Sequence, residues 1–443
     1  MSAICEARRR HAEYFLDVLR EAHELYAQGG EVWSHGLKLF DQEHDNIRAG
    51  QKWAKRQFTA DSRAAQLCLA YTDVGGDVLE LRQHPREFVE WLEDSLSAAR
   101  LLKHSKGESA VLTNLGATFA AMGEARRAIE FYKQALAIDR SLGDRRGESV
   151  VAGNLGAAYA ATGDVRRATK YYEHHLTLAR EFADRRGESN ALNNLGAAYA
   201  VLGEMKKALD YYEQALAIAI ELGDRRAEGN ALVNMGVAYA ALDELQRAAG
   251  CYEQALAADR VLGNRQGETI TLSNLGIVYK NSGQVNRAIE CFEQSLAIAR
   301  EIDNRRAESV AFGNLGVAYR ESGRAGMAVD FLQQELTIAC ELGDQRGQCA
   351  ALGNLGAVHA DMGETERSIE YYEQALALSR KLQHRPITSL LLSNLCAVYA
   401  TSGEIERALD CGQRALDIAR EIGDRRAEGA ALANLELARA RLR

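Results

Sequence analysis

Val111, Leu112, Leu115, Gly116 and Phe119 fall on one stripe of an α-helix, at positions 5, 6, 9, 10 and 13 of a forty-residue unit beginning at Gly107. The stripe returns in units beginning at Gly147, Gly187, Ala227, Gly267, Ala307, Gly347 and Ile387, and a last half unit begins at Ala427. No insertion breaks the register, which is the mark of stacked equal parts. A second stripe occupies positions 22, 26, 29, 30 and 32, as in Ala208, Tyr212, Ala215, Leu216 and Ile218. Between the stripes most units carry a glycine at position 17, and "LGDRR" or a variant closes the unit. The pattern predicts two antiparallel helices, A and B, with glycine ending B and Asp144, Asp184, Asp224, Asp344 and Asp424 capping the next A. One such hairpin cannot bury its apolar faces alone, so the expected fold is an all-α solenoid.

The N-terminal part is less regular. "RRRHAEYFLDVLREAHEL" and "LFDQEHDNIRAGQKWAKRQ" predict two amphipathic helices joined near Gly29 and Gly30. The domain reading is an N-terminal helical region over 1–60 and a degenerate capping repeat over 61–106, with Trp91 in the place of the helix B aromatic. Eight repeats over 107–426 and a C-terminal capping helix over 427–443 complete it.

Composition narrows the function classes. With 443 residues, 47% hydrophobic, 26% charged and only 2 prolines, the chain has core material and no disorder signature. A net charge of -8 supplies no overall basic field, so neither nucleic acid nor an anionic membrane is expected as partner. Eight cysteines without a C-x-x-C pair read as reduced thiols, and no apolar run is long enough for a membrane helix, so a cytoplasmic location is expected. No phosphate loop, nucleophile and base pair, or metal-ligand cluster stands out, so no enzyme activity, cofactor or metal is expected. His174 and His175, the one adjacent histidine pair, are expected to face solvent and the neighbouring repeat.

The Leu-Gly-x-x-Tyr of helix A (Leu195, Gly196, Tyr199) and the Ala-x-x-x-Tyr-x-x-Ala of helix B (Ala208, Tyr212, Ala215) resemble the tetratricopeptide repeat. The forty-residue length is similar to the long-repeat subgroup of the adaptor Pins/LGN and kinesin light chain. The resemblance covers about residues 107–443 and implies a right-handed superhelical solenoid of antiparallel helix pairs, with A helices lining the concave face. One departure is Cys396 at position 10, where the other repeats carry glycine. Arg10 to Phe15, and Glu43 to Ala49 with Trp53, look like the junction that follows the nucleotide-binding domains of bacterial STAND or NB-ARC-type signalling ATPases.

Position 8 is asparagine in every unit: Asn114, Asn154, Asn194, Asn234, Asn274, Asn314, Asn354, Asn394 and Asn434. It points about 100° away from position 9 and shares a stripe with positions 4, 11 and 15, which faces the groove in the fold that the resemblance implies. An amide offers one acceptor and a donor pair, matching the C=O and N–H of an extended backbone. At roughly 0.5–1.5 kcal/mol for each clamp, four or five support micromolar binding after ordering costs. The Pins/LGN resemblance implies that these nine asparagines bind an extended protein or peptide segment. The alternative is a ladder that only ties neighbouring A helices together.

Specificity is expected from groove positions that vary. Lys280, Asn281, Arg320, Glu321 and Asp361 form a charged cluster over repeats 5 to 7, either a ligand-selective anchor or a solvated face. Arg146, Arg186, Arg226, Arg306 and Arg346 recur at position 40, either as a basic rim for acidic guests or paired with acids such as Asp144 and Glu148. Position 4 is never basic here, unlike many Pins/LGN-like repeats, which weakens the case for acidic guests. Three functions are therefore open: a peptide-binding scaffold, the ligand-sensing module of a larger signalling ATPase, and an architectural array that self-associates.

Overall fold

Short loops and capped helices give the chain its form. The computed structural model describes residues 3–28 and 32–442, and every regular element among them is an α-helix. The expected joint at Gly29 and Gly30 lies outside the described residues. Four helices precede the repeats: α1 (Ala3–Gln28), α2 (Trp33–Gln57), α3 (Ser62–Arg82) and α4 (Pro85–Leu101). Each repeat then supplies an A helix and a B helix, as in Arg265–Asn281 and Val285–Glu301 of repeat 5, and Arg425–Leu442 ends the array. Three-residue links such as 282–284 leave no room for anything but antiparallel packing.

The caps follow the sequence. Asp144 and Asp184 each accept a hydrogen bond from the backbone N–H three residues on, at 2.9 Å. Asp224, Asp344 and Asp424 do the same, and Asn264 and Asn304 take over where the aspartate is missing. Asp184→Ala is expected to cost about 1 kcal/mol of unfolding free energy, with Asp184→Asn close to wild type, both read from urea unfolding.

The chain divides into two compact units, Met1–Gly223 and Asp224–Arg443. In the first, α1 packs on α2 and α3, and the buried Tyr71 hydroxyl of α3 donates to the Ala12 carbonyl at 2.7 Å. Gly50 of α2 makes this possible, because a Cβ there would stand 2.1 Å from the Tyr71 oxygen. Repeats 1 to 3 follow within this unit, and repeats 4 to 8 with the final half repeat form the second.

Inside every hairpin but the last, the position 10 glycine receives the side chain at position 26. A Cβ on Gly276 would lie 2.4 Å from the Phe292 ring, so only glycine lets the two helices close to this distance. Between repeats, the position 13 tyrosine donates to a glutamate of the preceding B helix, as in Tyr319 to Glu293 at 3.0 Å and Tyr399 to Glu373 at 2.8 Å. Within a hairpin, the position 39 arginine that opens the next A helix bridges to the end of its own B helix, Arg145 to Glu181 and Arg305 to Glu341, both at 2.6 Å. Exposed pairs of this kind contribute little singly, roughly 0–1 kcal/mol. Apolar burial carries the stacking: Leu115, Leu155, Leu195 and Leu315 have no exposed surface, each contributing about 1.5–3 kcal/mol.

Candidate functional site

Within each unit consecutive A helices pack on one another, whereas consecutive B helices make no comparable contact. The A helices therefore stand closer together, on the inner side of each unit's stack. The position 8 asparagines lie on these helices, and all nine are half-buried.

Their hydrogen bonds divide them. Among the described residues Asn114, Asn154, Asn194, Asn274, Asn314 and Asn354 make no side-chain hydrogen bond, and the Asn314 Nδ2 is sealed from solvent without any partner. The Asn434 amide instead donates to the Ser393 carbonyl and hydroxyl, both at 2.9 Å, and Asn394 reaches the Tyr372 hydroxyl. At the C-terminal end the ladder is thus internal, tying one repeat to the one before. Asn234 has an interaction of its own.

Beside the asparagines, position 4 presents apolar side chains. Val150, Ile270, Val310 and Leu390 are 51–56% exposed, more than a core residue tolerates and typical of a surface awaiting contact. Between them the same recess recurs. In repeat 5 it has a volume of about 360 Å3 and is lined by Ile270, Ser273, Asn274, Ser295, Arg306 and Val310. In repeat 2 it is again about 360 Å3, with Arg146, Val150 and Phe182 at its sides and His175 on its floor. In repeat 1 it measures about 320 Å3, with Asn114 and Lys106 above Asp139. Such volumes suit single side chains of a guest or a small ligand.

The floor comes from helix B, at positions 29 and 33, which the sequence reading passed over. Position 29 reads Ala135, His175, Ala215, Ala255, Ser295, Glu335, Ala375 and Ala415; position 33 is small except for Asp139 and Asp259. The signal was available as polar residues in an alanine column. His174 and His175 face their own A helix, not the neighbouring repeat: His174 bonds Glu148 at 2.8 Å and His175 shares a hydrogen bond with Ser149 at 2.9 Å. Burial keeps the His175 imidazole below its usual pKa, favouring the neutral ring.

The charged cluster pairs within itself. Lys280 meets Glu321 at 3.2 Å and Arg320 meets Asp361 at 2.9 Å, each joining position 14 of one repeat to position 15 of the next, while Asn281 stays exposed. Among the described residues, Arg146, Arg226, Arg306 and Arg346 do not take Asp144 or Glu148. Glu148 is held by Arg140 and His174, both at 2.8 Å, and Asp144 by its cap and Lys106 at 4.0 Å. Arg146 lies over the Phe182 ring, Arg306 borders the repeat 5 recess, and Arg186, Arg226 and Arg346 are exposed. Among the described residues, Arg146, Arg226, Arg306 and Arg346 form no ion pair, no group of three or more His, Cys, Asp or Glu could hold a metal, and no helix is long and apolar enough to cross a membrane.

Two of the known structures similar to this chain share its fold over most of its length. Over 96% of this chain and 65% of its own, the STAND protein with a tetratricopeptide repeat sensor from Pyrococcus horikoshii is similar, with 13% identity and a TM-score of 0.63. The quorum sensor NprR from B. thuringiensis is similar over 85% of this chain and 99% of its own, with 14% identity and a TM-score of 0.56. BtubC (BKLC) from P. vanneervenii is 22% identical over 50% of this chain and 93% of its own, at a TM-score of 0.46. Comparison of the sequence with curated proteins gives no match. The family model described as Tetratricopeptide repeat covers residues 107–181, 187–260, 268–341 and 347–421. Matched over more than half its length, and built of the helix pairs that this pattern specifies, the chain belongs to the tetratricopeptide repeat family.

Proposed function

We propose that the chain is a non-enzymatic scaffold that binds a peptide, or an extended segment of a partner protein, along its A-helix face. The observation that carries this reading is the set of half-buried asparagines without internal partners, Asn314 above all. A buried donor left unmade costs about 1–3 kcal/mol, and a guest carbonyl recovers it. The apolar position 4 side chains add contact area, and the recesses beside them receive alternate guest side chains. Charged anchors play a smaller part than position alone suggests, because Lys280, Arg320, Glu321 and Asp361 must leave one another before they meet a guest. Arg146, Arg226, Arg306 and Arg346 remain available to guest carboxylates.

Random dodecapeptides displayed on phage and selected on the full chain test the reading. Asn274→Ala with Asn314→Ala is expected to weaken the selected peptides by roughly 1–3 kcal/mol, about 5- to 150-fold, with the melting temperature held. Equal affinity for wild type and variant would make the asparagines structural.

The N-terminal motif favours a second reading, in which the array is the ligand-sensing part of a larger signalling ATPase. Its helices α1 and α2 pack on α3 within the first unit, as a junction continuous with the array requires. The test is the gene's upstream sequence: a phosphate loop encoded there would support this reading, and its absence would count against it. Self-association is the third, and a concentration-independent monomer in sedimentation counts against it.

A further inference from the structure

Glu335 takes the floor place that His175 holds in repeat 2 and Ser295 in repeat 5, both of which line recesses. Resting on the peptide-binding reading above, we propose that the corresponding place in repeat 6 receives a lysine or arginine side chain of the guest, with the Glu335 carboxylate as its counter-ion.

Room for Glu335 is made by Gly313. A Cβ at position 313 would stand 2.7 Å from Glu335 Oε1, and Thr113 or Ser273 fills that place in repeats 1 and 5. Glu335 is 7% exposed, and its Oε2 is buried without a hydrogen-bond partner. Among the described residues, no guanidinium or ammonium acts on it. The one charged neighbour is Asp344, itself an anion, whose Oδ1 is committed to capping the next A helix. Burial, with Asp344 adding to it, pushes the Glu335 pKa up to about 8, so the carboxyl holds its proton at neutral pH. An incoming cation reverses that balance: the proton leaves to solvent and the carboxylate pairs with the guest.

The other buried acids show what a structural role looks like here. Asp139 accepts from Ser109 at 2.5 Å, and Asp259 accepts from Asn264 at 2.7 Å and Thr271 at 3.1 Å. Both are supplied with donors by the fold. Glu335 is supplied with none, although alanine at the same position serves repeats 1, 3, 4, 7 and 8. Retaining an unpaired buried carboxylate where alanine suffices points to a partner from outside the chain.

The test is parallel selection of random dodecapeptides on the full chain and on Glu335→Ala, with Glu335→Gln as the near-isosteric variant. Wild-type peptides are expected to share a lysine or arginine at one place, and replacing it with norleucine is expected to weaken wild-type binding about tenfold or more. On Glu335→Ala, the same replacement should change affinity less than about twofold, since no counter-ion remains to be lost. Peptides without a shared basic residue, or an equal norleucine effect on both chains, would overturn the pocket while leaving the groove reading standing. Failure to select any peptide would sink both.

Discussion

Phe292→Ala is expected to cost about 3–5 kcal/mol of unfolding free energy, the range for truncating a fully buried aromatic. The ring has no exposed surface and lies directly over Gly276. Because the facing residue has no side chain, nothing can swing in to fill the space, and the cavity term is felt in full. The damage should stay local, since each repeat touches only its neighbours. Hydrogen exchange is therefore the measurement of choice: protection should fall in Arg265–Asn281 and Val285–Glu301 while α1 to α4 keep theirs. A uniform loss over both units would show instead that the chain unfolds as one. Repeat 6 supplies an internal control, for there Leu332 covers Gly316 in the same way. Phe292→Leu should accordingly cost less than about 1.5 kcal/mol, as volume-conserving apolar swaps do.

Much of the helical frame was legible from residue spacing. Period, glycine and aspartate placement sufficed for the A and B helices and their caps, because those features act within one hairpin and leave a local imprint. The asparagine column was legible as a column, but its uses were not. Asn434 is spent internally because Ser393, one repeat back, offers a hydroxyl and a carbonyl within reach. The only other position 7 serine, Ser273, is engaged by Ser295 at 3.1 Å. Whether an amide is free depends on such neighbours forty-one residues away, which a stripe on one helix does not reveal.

The charged residues make the same point. Arginine at position 40 was singled out for its regularity, yet position 39 builds the bridge that ties helix A to helix B, with Arg305 meeting both Glu308 and Glu341. One step along a helix turns a side chain by about 100°, enough to separate a stacking residue from a rim residue. Recess floors were harder still, because positions 29 and 33 sit on helix B, and only the stacking of hairpins places them beneath a gap between A helices. Once that is known, the alanine column with His175, Ser295 and Glu335 in it becomes the most informative column in the array.

Repeat 8 inverts the packing rule, and this yields the second large effect. Cys396 stands where glycine is expected, and Gly412 stands where the aromatic is expected. The cysteine side chain is much smaller than the aromatic it stands in for, and Leu435 of the last helix takes up the space: a Cβ on Gly412 would lie 2.7 Å from Leu435 and 2.9 Å from the Cys396 sulfur. Gly412→Tyr alone is expected to destabilise the C-terminal hairpin by about 1–3 kcal/mol or more through overpacking. Cys396→Gly alone should cost about 2 kcal/mol, from a lost buried side chain and a glycine inside a helix. The double variant rebuilds the pairing used by Gly276 and Phe292, so its cost should fall below the sum of the two by roughly 1–3 kcal/mol. Urea unfolding of the four chains measures this coupling directly. Strict additivity would mean that Leu435, not the glycine and cysteine exchange, fixes the spacing of the last hairpin.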